Sequence, residues 1–134
     1  MTEPATSSPP VRQAVPPPLR ATAEQLIEDL PFFARMAPSG TLRTQLLDTL
    51  LAVPLPTPVA DALTAAHDER HEIYLQLVRA ALTAIWLTRT PAPPRCDPAL
   101  AAAAGLLHDI GMLHIDPRIL EPDQALTREQ RRQL

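Results

Sequence analysis

Apolar residues recur along this chain at spacings of three and four, the period of a helix with one buried face. The first run opens after residue 20. Thr22-Ala23-Glu24-Gln25 has the form of a capping box, and Leu26, Ile27 and Leu30 follow it. Pro31 must kink or end that helix, because it lacks an N–H and its ring clashes with the preceding turn. Leu42, Leu46, Leu47 and Leu50 mark a second helix over 41–52. Pro54, Pro56 and Pro58 stiffen the connection, with Thr57 as N-cap and Pro58 at the first helical position. The pattern predicts one long helix over 58–89, ended by Pro91-Ala92-Pro93-Pro94. Asp97-Pro98 caps the next helix, over 98–110, and Gly111 suits the position just past its end. Asp116-Pro117 opens a short helical turn, and Thr127-Arg128-Glu129-Gln130 is a second capping box. No strand alternation and no internal repeat is present. The expected fold class is all-α.

Two faces need a closer reading. Helix 98–110 carries Leu100, Ala101, Ala103, Ala104, Leu106, Leu107 and Ile110, so it is apolar all round and predicts a central, buried element. The long helix keeps one polar stripe, Glu72, Gln76, Arg79 and Thr83. That stripe faces solvent, or it lines a cleft shared with the end of helix 98–110. Tyr74 and Trp86 fall at helical spacing and read as core.

Composition narrows the classes. The chain has 134 residues and a net charge of −3, so no basic footprint for a nucleic-acid polymer exists. Arg supplies every permanent cation; Lys and Asn are absent, and Ala, Pro and Leu abound, as in a GC-rich bacterial genome. Residues 1–20 hold six prolines among Ser, Thr and Ala and predict a disordered tail. Cys96 is the only cysteine, so no intrachain disulfide can form. It sits between Arg95 and Asp97 with no nucleophile motif and reads as a plain loop thiol. No signal-peptide pattern and no membrane-length apolar run is present, so the expected location is the cytoplasm, away from membrane.

The stretch Ala104-Gly105-Leu106-Leu107-His108-Asp109-Ile110-Gly111 is where chemistry enters. A carboxylate buried at the C-terminal end of a helix is desolvated and also meets the negative end of the dipole. A bound cation would compensate it. Ile119-Leu120 and Leu126-Thr127 follow. Together, Leu106-Leu107-His108-Asp109-Ile110-Gly111, Ile119-Leu120 and Leu126-Thr127 resemble the HD-GYP branch of the HD phosphohydrolase superfamily. The resemblance is specific over 104–134 and weaker over 70–90. It implies an all-α HD-domain helical bundle, of which this chain holds the N-terminal part. It also implies hydrolysis of cyclic di-GMP at a centre of two or three divalent metals of the iron or manganese type. On this reading His108 and Asp109 are metal ligands, an imidazole and a carboxylate suited to a borderline divalent ion. The expected organisation is the tail over 1–20, an N-terminal helical segment over 21–57 and a partial HD-type domain over 58–134.

Three positions depart from the family pattern. The family places another histidine on its first core helix, with an arginine three residues on. At that distance before His108 stands Gln76, with Arg79 after it. His71 is the alternative, but its third residue on is Tyr74, and it lies five residues from Gln76, about 140° around a helix. Gln76 and Arg79 are therefore expected to share the cleft of His108 and Asp109, with His71 pointing elsewhere. The family lysine after the motif is Met112 here. The next family histidine and the GYP segment would fall after Leu134. The expectation is an N-terminal fragment of a longer protein or a truncated gene product, inactive alone. The alternative is a degenerate HD module that serves signalling through a protein partner.

Other candidates are weaker. His67-Asp68-Glu69-Arg70-His71 puts two histidines at the spacing of a helical zinc pair, but Asp68 stands where zinc proteases have Glu. It reads as polar helix surface. His114 reads as a loop histidine. Gly40, Gly105 and Gly111 are the only glycines, so no phosphate-cradling loop exists.

Overall fold

A computed structural model describes residues 18–89, 96–120 and 127–132. Its elements are α1 (Pro18–Asp29), α2 (Pro31–Met36), α3 (Gly40–Leu51), α4 (Thr57–Glu69), α5 (His71–Leu87), α6 (Pro98–Leu107) and α7 (Arg128–Arg131). Two 3-10 turns, Ile110–His114 and Pro117–Ile119, lie between α6 and α7. Among the described residues there is no strand, and the fold is all-α.

Local chemistry explains most boundaries. Pro31 stands at the start of α2, with Leu30 alone between it and the end of α1. Ser39 caps α3 by accepting from the Leu42 N–H at 3.3 Å. The Asp97 carboxylate accepts from Ala99 and Leu100 at 2.7 and 3.2 Å, and Pro98 opens α6. Asp116 caps the Pro117 turn through Arg118 N–H, and Thr127 with Gln130 closes a full capping box.

Four expectations fail. First, α1 starts at Pro18, so Thr22 lies inside the helix and its capping box is not used. Leu19 is core, at 1% exposure, so Pro18–Arg20 belong to the helix rather than to a tail. The remainder of the expected tail, 1–17, lies outside the described residues, as does Pro91–Pro94.

Second, the single helix over 58–89 is two. Arg70 leaves helical geometry at φ −136, ψ 53 and divides α4 from α5. No proline or glycine forces this. Six consecutive polar residues, His67 to Glu72, leave no apolar side chain to hold more than one turn against a core. The Arg70 guanidinium donates to the Ile115 carbonyl at 3.1 Å, which ties the elbow to the segment after α6.

Third, the central helix is α5. Tyr74, Leu77, Val78, Ala81, Leu82 and Ile85 are all at 0% exposure, and α1, α3, α4 and α6 pack around them. Each fully buried leucine or isoleucine contributes roughly 1.5–3 kcal/mol. On α6 only Ala102, Gly105 and Leu106 are buried, while Leu100 is 65% exposed. Alanine is tolerated on a wet face, so an Ala-rich helix reads as apolar all round without being covered all round. Core residues run continuously from Leu19 to Leu106, so the expected boundary at 57/58 separates no cores.

Fourth, α6 stops at Leu107, not at 110, and Gly111 sits inside the following 3-10 turn without a left-handed φ.

Candidate functional site

The end of α6 sets the position of the His-Asp pair. The His108 N–H still donates to the Ala104 carbonyl at 2.9 Å, so the residue is held in the last turn. Its ring turns back along the helix, and Nδ1 lies 2.8 Å from the Gly105 carbonyl. A carbonyl only accepts, so Nδ1 carries the proton in that contact. Nε2 lies 3.0 Å from Asp109 Oδ2. Two such atoms need a positive particle between them, either a proton on Nε2 or a metal ion. Donors about 2.0–2.2 Å from a divalent ion at a right angle stand roughly 3 Å apart, so the pair fits as two adjacent ligands. The Nδ1 contact also matches the backbone hydrogen bond that orients metal-binding imidazoles.

The premise of a buried carboxylate does not hold. His108 and Asp109 side chains are each 41% exposed, so water solvates Asp109 and no desolvation penalty demands a cation. Among the described residues no group of three or more His, Cys, Asp or Glu side chains could hold a metal. The pair by itself offers two donor atoms.

Gln76, where the resemblance leads one to expect a histidine, lines a groove of about 720 Å³ with Ile73, His71, Met112, Pro117 and Leu120. His108 and Asp109 are not among its lining residues. Nor does Arg79 share it; Arg79 lines a second pocket of about 410 Å³ between α1 and α5, together with His71. The expected split between Gln76 with Arg79 and His71 on another side is therefore overturned. His71, Gln76 and Arg79 all lie on the unbroken α5, so their angular offset stands, but it does not decide which of them share a groove. His71 begins α5, and the groove wraps over that helix end, where residues of several faces meet. Glu72, Gln76 and Arg79 are exposed, so most of the polar stripe faces solvent.

Two features escaped the sequence. The Tyr74 side chain is fully buried and its hydroxyl has no hydrogen-bond partner of normal geometry. Burial pushes its pKa up from the ordinary phenol value, and the neighbouring Thr22 side chain pulls weakly the other way. The other is the Arg70–Ile115 tie, which no motif marks. Arg118 grips Asp116 through Nε at 3.1 Å and Nη2 at 2.6 Å, and holds that carboxyl down at about 2. His114 is exposed in the first 3-10 turn, and Cys96 is an exposed free thiol. Trp86 is partly buried against the core.

No family model, no curated protein and no solved structure matches this chain. Among the described residues no helix is long and apolar enough to cross a membrane.

Proposed function

We propose that this all-α domain is an HD-GYP-like, metal-dependent phosphohydrolase domain of the cyclic di-GMP type. His108 and Asp109 are two ligands of its divalent centre, and residues 1–134 do not turn over substrate by themselves. The observation that carries the reading is the His108–Asp109 pair, with Nε2 and Oδ2 at 3.0 Å beside a carbonyl-anchored Nδ1. A bound iron- or manganese-type ion supplies an activated water and neutralises charge developing on the phosphate. The chain itself contributes the fixed imidazole, oriented by the Gly105 carbonyl, and the solvent-facing carboxylate next to it.

A second reading has its own support. Gln76 offers an amide and Met112 a thioether in the groove where the family has an imidazole and an ammonium. Both changes remove chemistry, which favours a degenerate module that binds a protein partner and performs no hydrolysis.

Calorimetric titration with Mn²⁺ tests the metal centre. The parent is expected to bind, and His108→Ala and Asp109→Ala to lose that binding. Cyclic di-GMP hydrolysis is then assayed with Mn²⁺ present, and no turnover is expected from residues 1–134. Absence of Mn²⁺ binding by the parent refutes the metal centre and leaves the interaction module.

A further inference from the structure

We propose that His67 and His71 form a zinc-binding site at the elbow between α4 and α5, separate from the His108–Asp109 pair and independent of the function proposed above. The two residues lie on either side of the Arg70 break, His67 in the last turn of α4 and His71 opening α5.

Hydrogen bonding settles which ring nitrogen is free on each. His67 Nδ1 lies 2.8 Å from Asp68 Oδ1. His71 Nδ1 lies 3.2 Å from the His67 carbonyl oxygen. Carboxylate and carbonyl oxygens only accept, so Nδ1 carries the proton on both rings. The neutral imidazoles then both keep their lone pair on Nε2, the form in which histidine binds a metal.

The spacing agrees. The ring centres are 5.3 Å apart. Zinc held 2.0–2.1 Å from two Nε2 atoms at a tetrahedral angle places the ring centres roughly 5 Å apart. Tyr74, itself fully buried, backs both rings, with ring centres 5.2 Å from His67 and 6.3 Å from His71. That contact limits the rotamers of both histidines before any ion arrives. The Asp68–His67 hydrogen bond is the carboxylate–histidine arrangement that raises ligand basicity in zinc sites.

Two imidazoles select a borderline ion such as zinc over magnesium or calcium. No third His, Cys, Asp or Glu joins them among the described residues, so water fills the remaining positions. The ion ties the last turn of α4 to the first turn of α5 and holds the elbow at one angle.

The test is a titration of the full chain with Zn²⁺ alone, followed by long-range proton–nitrogen NMR of the imidazoles. The expected result is a shift of Nε2 on His67 and His71 together, with Nδ1 protonated on both throughout. His67→Gln or His71→Gln should weaken the site at least about tenfold, and Asp68→Ala by about tenfold through loss of the orienting carboxylate. Zn²⁺ should raise the melting temperature of the parent but not of His67→Gln. Circular dichroism checks that the variants keep their helices. Nε2 signals of His67 and His71 that stay in place, or variants that bind zinc like the parent, overturn the proposal. The His108 signals are read separately in the same spectra, so either site can fail without the other.

Discussion

Gly105 of α6 meets the backbone of Ala81 of α5 with no room for a side chain between them: a Cβ at Gly105 would stand 2.5 Å from Ala81 Cα and 2.6 Å from its nitrogen. The obstacle is main chain, which cannot rotate away. The same glycine offers its carbonyl to the His108 ring. Helix packing and the orientation of the candidate ligand therefore pass through one residue.

Gly105→Ala follows from that contact. In an exposed helix the change would be favourable by about 1 kcal/mol. Here the added methyl forces α6 off α5, and overpacking of this kind costs about 1–3 kcal/mol or more. The expected outcome is a net loss of stability, seen as a lower urea midpoint at unchanged slope, with a displaced His108 imidazole signal in NMR. A variant as stable as the parent would show that the helices are not in backbone contact.

Leucines along α6 should differ sharply in cost. Leu106 is at 0% exposure, Leu107 is partly buried and Leu100 is 65% exposed. Leu106→Ala is expected to cost about 2–5 kcal/mol and Leu107→Ala clearly less. Leu100→Ala should stay within about 0.5 kcal/mol. Parallel denaturation curves rank the three, and a larger loss at Leu107 than at Leu106 would reverse the assigned face.

The buried Tyr74 hydroxyl makes stability sensitive to alkali. Its pKa is raised in the fold, so the native state holds the proton more tightly than the unfolded chain. Stability from this group is fully present below the unfolded value near 10 and falls as pH rises above it. Tyr74→Phe removes a buried hydroxyl that, among the described residues, has no hydrogen-bond partner of normal geometry and only the weak influence of Thr22. At pH 7 it is expected to be neutral or stabilising by up to about 1 kcal/mol. Above pH 10 it should resist unfolding longer than the parent. Identical alkaline melting curves for the two proteins would contradict the burial of the hydroxyl.

Part of the candidate site was legible and part was not. The His108–Asp109 pair stands out because an apolar run leads into it, and the structure does bring the two side chains together. Their exposure was not legible. It depends on which face of α6 another helix covers, and Leu100, Ala101 and Ala104 offer the same apolar signal as Ala102 and Leu106. Gln76 is placed by its distance before His108, and its separation from His71 by the angle around a helix; neither shows which residues another element brings to the same groove. The groove of Gln76 lies over the first turns of α5 and so takes in His71, while Arg79 lines the pocket against α1.

What the chain determined on its own is the all-α class and the caps at Asp97, Asp116 and Thr127, together with the stop at Pro31. These follow from interactions within a few residues: a missing N–H, a side-chain oxygen near free amides, a period of 3.6. Tertiary packing decided the rest. It made α5 the centre rather than α6, because large side chains such as Tyr74, Leu77, Leu82 and Ile85 fill a core that alanines cannot. It recruited Pro18–Arg20 into α1, because Leu19 found a place in that core. It bent the chain at Arg70, where a long-range hydrogen bond to Ile115 and a gap in the apolar stripe outweigh helix continuity. None of these depends on near neighbours in sequence, and so none could be read from them.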